Sequence, residues 1–240
     1  MRDPETSFAA KNPVGILQDL ICFDTTNPPG NEGPCIEYIR RLLENAGIRT
    51  QILAKNENRP NLIARIAGDN AAPPLLFYGH VDVVTANSQI WQHPPFEGRK
   101  VNGYVWGRGA LDMKGGLAMM LSAMLRLARE KRRPAGDIVF AAVSDEESGG
   151  IHGARFLVEN FPELFAGIRY AIGEFGGASM DYGGRRFYPI QVSEKQVCSI
   201  RATARGIGGH GSMPIHGGAM GTIGKLLCIL DRRSLPVRIT

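Results

Sequence analysis

The sequence predicts a layered α/β domain with a mixed, largely parallel sheet, followed by the start of a smaller α+β unit. In the first part of the chain, short apolar runs typical of buried strands alternate with segments whose apolar residues recur at helical spacing. From Phe187 onwards, strand-like runs follow one another without an intervening helix. We therefore place a domain boundary near Ser193, with residues 1–193 forming the α/β domain and residues 194–240 beginning the second unit.

The N-terminal part of the first domain is predicted to contain two helices and two strands. Pro13–Phe23 and the segment from Ile36 to Ala46 are predicted helices, because their apolar residues fall on one side. Ile48–Ala54 and Asn61–Ile66 are β-like, and the polar turn Lys55–Pro60 separates them. A strand pair therefore precedes the stretch in which the first functional candidates stand.

An apolar run from Leu75 to Val84 has the composition of a buried strand, but it also carries His80 and Asp82. Because a strand repeats every two residues, these two side chains are predicted to share a face. There the Asp82 carboxylate can accept the N–H of one imidazole nitrogen, which leaves the other nitrogen free to bind a metal. A core histidine satisfied by a neighbouring acid is the alternative that this stretch alone leaves open.

A long loop, Thr85–Tyr104, is predicted after this strand, and its length and aromatic residues are typical of functional loops. The next helix begins after Gly116 and has an apolar stripe that we interpret as core.

The remaining elements of the first domain repeat the alternation of strand and helix. Asp137–Val143 is predicted to be a strand, Gly153–Asn160 a helix, and Ile168–Ile172 a short strand. In sheets of this kind ligands bind at the carboxyl ends of the strands. The acidic and imidazole side chains predicted at those ends are His80, Asp82, Glu146, Glu147 and Glu174.

The second unit is predicted to begin with the strands Phe187–Ser193 and Gln196–Arg205. A glycine-rich segment, Gly206–Pro214, then leads into an apolar helix through Leu226–Leu230. The segment formally matches the dinucleotide-binding fingerprint, but a proline and further glycines separate its last glycine from the helix. The context that a dinucleotide-binding site needs is therefore missing.

The composition is that of a folded globular protein, with 43% hydrophobic and 21% charged residues among 240. The net charge of +5 comes from scattered basic residues, and the densest run, Arg129–Arg133, is interrupted by Glu130, so a nucleic-acid partner is not expected. No apolar stretch reaches the ~18 residues of a membrane span. The four cysteines lack metal-binding spacing, and free thiols in a reducing cytoplasm are expected.

Four separated segments each offer an acid or an imidazole: His80, Asp112, Glu146 with Glu147, and Glu174. A carboxylate-rich set with one imidazole suits two divalent cations that share a bridging carboxylate. Zinc is favoured, and cobalt or manganese would also fit. Any one of these segments alone could be an ordinary solvated turn.

The motifs form an ordered series along the chain. They are His80-x-Asp82, Gly107-Arg-Gly-Ala-x-Asp112-Met-Lys-Gly-Gly116, Asp145-Glu146-Glu147 followed by Gly149-Gly150, and Gly206-x-x-Gly209-His210-Gly-Ser-x-Pro214. In this order they resemble the dinuclear-zinc peptidase and amidohydrolase family, which includes acetylornithine deacetylase, succinyl-diaminopimelate desuccinylase, aminoacylase, glutamate carboxypeptidase and vacuolar-type Gly-X carboxypeptidase. Thr26–Gly30 also resembles the N-terminal turn of that family, so the resemblance covers Thr25 to Thr240.

The resemblance implies a metal-binding role for four residues. His80 and Glu174 would bind one ion, Glu147 would bind the other, and Asp112 would bridge the two. Asp82 would orient the His80 ring. The first domain would then be the zinc-peptidase catalytic domain of the family, and the second unit would be the start of its lid or dimerisation domain.

The resemblance also implies the catalytic groups. Glu146 would be the general base that takes a proton from the attacking water and returns it to the leaving amine. His210 would be the lid histidine that helps to hold the developing oxyanion in the active site of a partner subunit. The peptide bond between Asp112 and Met113 would be cis.

The implied function is a metal-dependent hydrolase that cleaves an amide or peptide bond of a small N-acyl amino acid or short peptide. The enzyme would be cytoplasmic and homodimeric through the lid, and the Glu174-Phe175-Gly176-Gly177 turn is closer to the peptidase and aminoacylase side. The resemblance also implies a return of the chain from the lid to the catalytic domain, where it would supply a last histidine ligand. That return is absent from this sequence, and His216 is too close to the glycine-rich turn to replace it, so we expect a truncated product or a fragment of a longer protein. A truncated, non-catalytic metal-binding paralogue that acts by association is the alternative.

Overall fold

A computed structural model describes residues 12–87, 89–130, 133–175, 179–193, 200–213 and 216–234 of this chain. Contacts between Cα atoms divide the chain into two compact units, Met1–Gln191 and Val192–Thr240. The assignment of a catalytic domain and a lid domain to the two parts of the chain stays a prediction.

The first unit contains four α-helices, nine strands and two short 3-10 helices among its described residues. The helices are α1 (Pro13–Ile21), α2 (Gly33–Asn45), α3 (Lys114–Glu130) and α4 (Ala154–Asn160). The strands are β1 (Thr50–Leu53), β2 (Asn61–Ile66), β3 (Leu75–His80), β4 (Arg99–Val101), β5 (Tyr104–Trp106), β6 (Ile138–Val143), β7 (Tyr170–Ile172), β8 (Met180–Tyr182) and β9 (Arg185–Phe187). The 3-10 helices are Glu146–Ser148 and Pro162–Phe165.

Five strands form the central sheet in the order β1-β2-β6-β3-β7. Strand β3 is parallel to β6 and β7, whereas β2 is antiparallel to β1 and to β6. Strands β1, β6, β3 and β7 therefore run in one direction and only β2 opposes them, which confirms the predicted mixed, largely parallel sheet. Because β3 and its two parallel neighbours end at the same edge, the segments that follow them meet there.

Alternating side chains of the sheet enter two apolar layers, as expected for a sheet covered on both faces. Phe77 and Phe140 face a core that is shared with α1, α2 and α3. Val139 and Ala141 face the other core, together with Leu157 of α4. All six residues of β6 are buried, which explains why this strand is a continuous apolar run in the sequence.

Helix α3 and the residue before it approach the sheet closely at Gly79 of β3. A Cβ atom at Gly79 would lie 2.8 Å from Leu117 Cδ2 and 2.8 Å from Met113 Cε. The turn that carries Asp112 precedes α3 directly, so this close approach brings the turn beside His80. The Asp112–Met113 peptide bond is cis, as the resemblance implied.

The predicted loop Thr85–Tyr104 was too long, because a hairpin of β4 and β5 occupies its end. Asn102 and Gly103 connect the two strands with φ angles of 50° and 84°. Two consecutive left-handed residues are typical of a tight hairpin turn, and Asn-Gly is its strongest sequence signal.

Two predicted strands end earlier than expected. Strand β3 stops at His80, so Asp82 lies in the segment after the strand and does not share a strand face with His80. Of the predicted strand Phe187–Ser193, only Phe187 is in a strand. Gly183 and Gly184, with φ angles of 57° and 73°, form a tight turn, and this turn allows β9 to pair with β8.

The described residues of the second unit contain one helix, α5 (Ala219–Arg232), which confirms the predicted apolar helix. Residues 200–205 of the predicted strand Gln196–Arg205 have no regular structure, and 196–199 lie outside the described residues. A strand there has no partner among the described residues to complete its backbone hydrogen bonds. The glycine-rich segment and the start of α5 line a cavity of about 480 Å³.

In the part of the chain that the structure describes, we find no helix with both the length and the apolar character that a membrane span requires.

We predict that Gly79→Ala lowers the free energy of unfolding by about 1–3 kcal/mol, because the new methyl group would overpack the contact between β3 and α3. Gly15→Ala in α1 is the matched control, since a Cβ atom there meets nothing within 4 Å. It should raise the free energy of unfolding by about 0.5–1 kcal/mol through helix propensity. Urea denaturation measures both changes, and shifts of the same sign would contradict the account.

Candidate metal centre

Three of the predicted site residues converge at the carboxyl edge of the sheet. His80 ends β3, Asp112 lies in the turn before α3, and Glu174 follows β7 closely. One ligand atom from each lies within 4.8 Å of the others. His80 Nε2 is 3.1 Å from Asp112 Oδ1 and 3.8 Å from Glu174 Oε2. Atoms that share one zinc ion at ~2.0–2.2 Å are separated by roughly 3–4 Å, so the spacing suits a cation.

The cluster is buried on one side and open on the other. The His80 side chain is fully buried, whereas the side chains of Asp112 and Glu174 are 54% and 41% exposed. The imidazole is therefore held by the protein interior, and the carboxylates face the direction from which a substrate can approach.

The orientation of the His80 ring is set by the residue two positions later. Nδ1 lies 3.0 Å from the Asp82 backbone carbonyl oxygen and 3.5 Å from the Asp82 carboxylate. In the neutral ring, an N–H donated from Nδ1 leaves Nε2 as the acceptor that faces the cluster. The Asp82 carboxylate was the predicted acceptor for this N–H. The Asp82 carbonyl oxygen lies nearer to Nδ1, because the strand ends at His80 and the chain turns.

The Asp82 carboxylate also holds the turn that carries the two glutamates. Its Oδ1 accepts the backbone N–H of Glu146 at 3.1 Å, and its Oδ2 accepts that of Glu147 at 3.1 Å. The Asn27 amide donates to Oδ2 at 2.8 Å. Burial opposes ionisation of Asp82, but hydrogen bonds from His80 and Asn27 hold its pKa below the usual range.

The carboxylates create a negative potential at the imidazole. Burial opposes protonation of His80, but the hydrogen bond and charge of Asp82, with the charge of Glu146, raise its pKa to about 9. Burial raises the pKa of Glu147 and of Glu174, and the nearby Asp112 carboxylate raises both further. A positive charge placed among these groups is stabilised, whether it is a proton or a metal ion.

Glu146 and Glu147 open the 3-10 helix Glu146–Ser148. Glu146 Oε2 lies 3.8 Å from His80 Nε2, and its side chain is 41% exposed. Glu147 lies outside the group of three ligand atoms and interacts with Asp112 and His80 through charge. The assignment of Glu146 as base and Glu147 as ligand stays a prediction.

His210 belongs to the second unit and is exposed. Its Nδ1 accepts the Ser212 backbone N–H at 3.3 Å and lies 2.8 Å from Ser212 Oγ. These contacts orient the ring within its own loop. Its predicted role as an oxyanion donor stays a prediction.

Sequence reasoning missed two polar residues of the site. Asn27 was noted only as part of the turn Thr26–Gly30, and Asp145 only as the first residue of the Asp145-Glu146-Glu147 motif. In the structure both are buried, and Asn27 donates to Asp82 and to Asp145. The available signal for Asn27 was a polar residue directly before two prolines. Its burial, however, depends on segments that are far away in the sequence.

The donor set fits a divalent cation on chemical grounds. An imidazole nitrogen with a fixed tautomer and two carboxylates are ligands that zinc, cobalt and manganese accept. The surrounding acids supply the negative charge that balances such an ion, and hydrogen bonds already orient the imidazole before an ion binds.

The family model described as Peptidase family M20/M25/M40 matches residues 76–222. A probable succinyl-diaminopimelate desuccinylase of Staphylococcus aureus is 32% identical over 214 residues, which cover 88% of this chain and 49% of the relative. The chain therefore spans about half the length of the curated relatives it matches.

Solved structures show the same fold. An M20 family metallo-carboxypeptidase from Sulfolobus solfataricus is 25% identical, has a TM-score of 0.57, and covers 72% of this chain and 39% of its own. Human carnosine dipeptidase 1 is 19% identical and has a TM-score of 0.59. The match covers 71% of this chain and 39% of the dipeptidase. The match of the family model to most of the chain, including each of the clustered acids and His80, shows that this chain belongs to peptidase family M20/M25/M40.

Proposed function

We propose that this chain forms the metal-binding part of a hydrolase that cleaves an amide or peptide bond of a small N-acyl amino acid or short peptide. The observation that carries the proposal is the convergence of His80, Asp112 and Glu174 within 4.8 Å at the open edge of the sheet. Membership of the peptidase family supports the reaction class.

We further propose two divalent ions, with zinc favoured over cobalt and manganese. His80 and Glu174 would hold one ion, Glu147 the other, and Asp112 would bridge them. The spacing of His80, Asp112 and Glu174 and the charge interaction between Glu147 and Asp112 support this arrangement. When bound, such ions supply Lewis acidity that activates water and polarises a carbonyl group.

Glu146 is the residue best placed to handle the proton. Its carboxylate lies beside the cluster without belonging to it, and its backbone is held by Asp82. A carboxylate so placed can accept a proton from the attacking water and deliver it to the leaving amine. The other oxygen of Asp82 holds the backbone N–H of Glu147, and the side chain of Glu147 is the one proposed as a ligand.

The names of the chain's relatives support the proposed substrate class. The curated relatives include probable succinyl-diaminopimelate desuccinylases, and the solved structures include a metallo-carboxypeptidase and a dipeptidase. An N-acyl group or an aminoacyl group on a small amino acid would present the same scissile amide to the cluster.

The second unit is proposed to begin a lid through which two copies associate. Helix α5 exposes several large apolar side chains, as expected of a surface that another element or another copy covers. They are Met220, Leu227, Ile229 and Leu230. His210 would then act on the partner's substrate. A cytoplasmic location is proposed from the cysteines, because Cys22, Cys35 and Cys228 form no disulfide among the described residues.

We predict that Asp112→Ala removes most of the bound metal, because Asp112 is the residue proposed to touch both ions. Elemental analysis of protein purified without chelators measures the metal content. Asp69→Ala is the control, since Asp69 is exposed and its side chain pairs with Arg133 at 3.6 Å, away from the cluster. Equal metal content in Asp112→Ala and in the unsubstituted protein would contradict the proposal that Asp112 bridges the two ions.

We predict that Glu146→Gln lowers turnover of N-succinyl and N-acetyl amino acids or dipeptides by ~10²–10⁴-fold while sparing the metals. The substitution removes a proton acceptor but keeps the size and polarity of the side chain. Glu147→Gln should lose metal instead, and Glu163→Gln, an exposed glutamate of the other 3-10 helix, should change neither. Unchanged turnover with weakened metal binding in Glu146→Gln would exchange the two roles.

A further inference from the structure

A buried arginine lies behind the metal centre and contacts none of its three converging ligands. Arg59 is 8% exposed, and its guanidinium pairs with two buried carboxylates, those of Glu32 and Asp145. Buried charges of this kind persist only where each is paired and hydrogen-bonded. The proposed reaction uses neither Arg59 nor Glu32.

Glu32 holds the guanidinium in a single orientation. Arg59 Nε donates to both Glu32 oxygens, at 3.1 Å and 3.2 Å, and Nη2 donates to Oε1 at 2.7 Å. The guanidinium also lies directly against Gly30, where a Cβ atom would be 2.4 Å from Nε. Arg59 Nη1 is thereby directed at Asp145 Oδ1, 2.9 Å away.

Asp145 pins the turn that carries the glutamates. Its Oδ2 accepts the His152 backbone N–H at 3.0 Å, and its backbone is left-handed with φ 68°. Such a conformation is uncommon for a residue other than glycine and persists where contacts hold it. Glu146 and Glu147 follow Asp145 directly, so the position of Asp145 sets where both glutamates begin.

Asn27 connects this arrangement to the metal centre. Its Nδ2 donates to Asp145 Oδ1 at 3.2 Å and to Asp82 Oδ2 at 2.8 Å. Two buried carboxylates that share one amide group repel each other, and the positive charge of Arg59 beside Asp145 offsets that repulsion. Asp82 in turn orients His80.

We propose that Arg59 is a positioning residue of the metal centre: it fixes Asp145 and, through Asn27, the Asp82 that orients His80. This inference rests on the proposed function, because it requires the centre to bind a divalent ion. Arg59 acts through other side chains and has no contact with substrate in this scheme.

The test uses Co²⁺, whose visible absorption reports the ligands around the ion. Arg59→Gln should weaken the affinity of this chain for Co²⁺ by about 10–100-fold, the usual effect of losing an outer residue that orients a ligand. Its absorption bands should also shift. Arg59→Lys keeps the charge but not the planar fork that serves Glu32 and Asp145 together, so it should restore the affinity only in part.

The matched control is Arg65→Gln. Arg65 lies in β2, the strand that begins just after Arg59, and its guanidinium pairs with Asp137 at 2.8 Å, at the other end of that strand. This variant loses an arginine–aspartate pair and should keep the parent's Co²⁺ affinity and spectrum. The double variant Glu32→Gln with Arg59→Gln removes both charges of the Arg59–Glu32 pair. If Arg59→Gln alone does not fold, the same Co²⁺ measurements are made on this double variant.

Two results would overturn the inference, and they can be told apart. If the parent binds Co²⁺ and the folded Arg59 variants match its affinity and spectrum, Arg59 is merely structural and only this inference fails. If the parent binds no Co²⁺, the proposed function fails and the inference fails with it.

Discussion

The buried carboxylate of Asp82 is the group on which the rest of the site depends. It accepts hydrogen bonds from the Asn27 amide and from the backbone N–H groups of Glu146 and Glu147. Two distant segments are therefore joined to the segment of Asp82 through one side chain. A buried carboxylate is tolerated only when such donors surround it. Because the same residue also orients His80 through its backbone carbonyl, the contacts that satisfy the fold also set the geometry of the site.

The topology of the sheet explains why these segments meet. Strand β3 lies between β6 and β7, and all three run in the same direction, so the segments after them emerge at one edge. The turn that carries Asp112 reaches this edge in another way. It directly precedes α3, and α3 packs closely on β3 at Gly79. Side chains from three distant parts of the chain, those of His80, Asp112 and Glu174, therefore converge at this edge.

Much of this organisation could be predicted from the sequence, because it depends on local patterns. The apolar run of β6 and the stripe of α3 predict buried elements, and the ordered motifs predict which acids stand with His80. The end of β3 at His80 was missed, since composition does not distinguish a strand from an apolar turn. Arg59 was missed too, because its burial depends on Glu32 and Asp145, which are 27 and 86 positions away (59 − 32 and 145 − 59).

The most direct test of the account is anomalous X-ray diffraction from crystals of the chain grown with Zn²⁺, recorded at the zinc absorption edge. The account predicts a zinc peak about 2.0–2.2 Å from His80 Nε2 and from oxygens of Asp112 and Glu174. A second peak on the Glu147 side of Asp112 would complete the dinuclear centre. Strong zinc peaks elsewhere in the chain, with none among these residues, would contradict the central claim that the carboxyl edge of this sheet is a metal site.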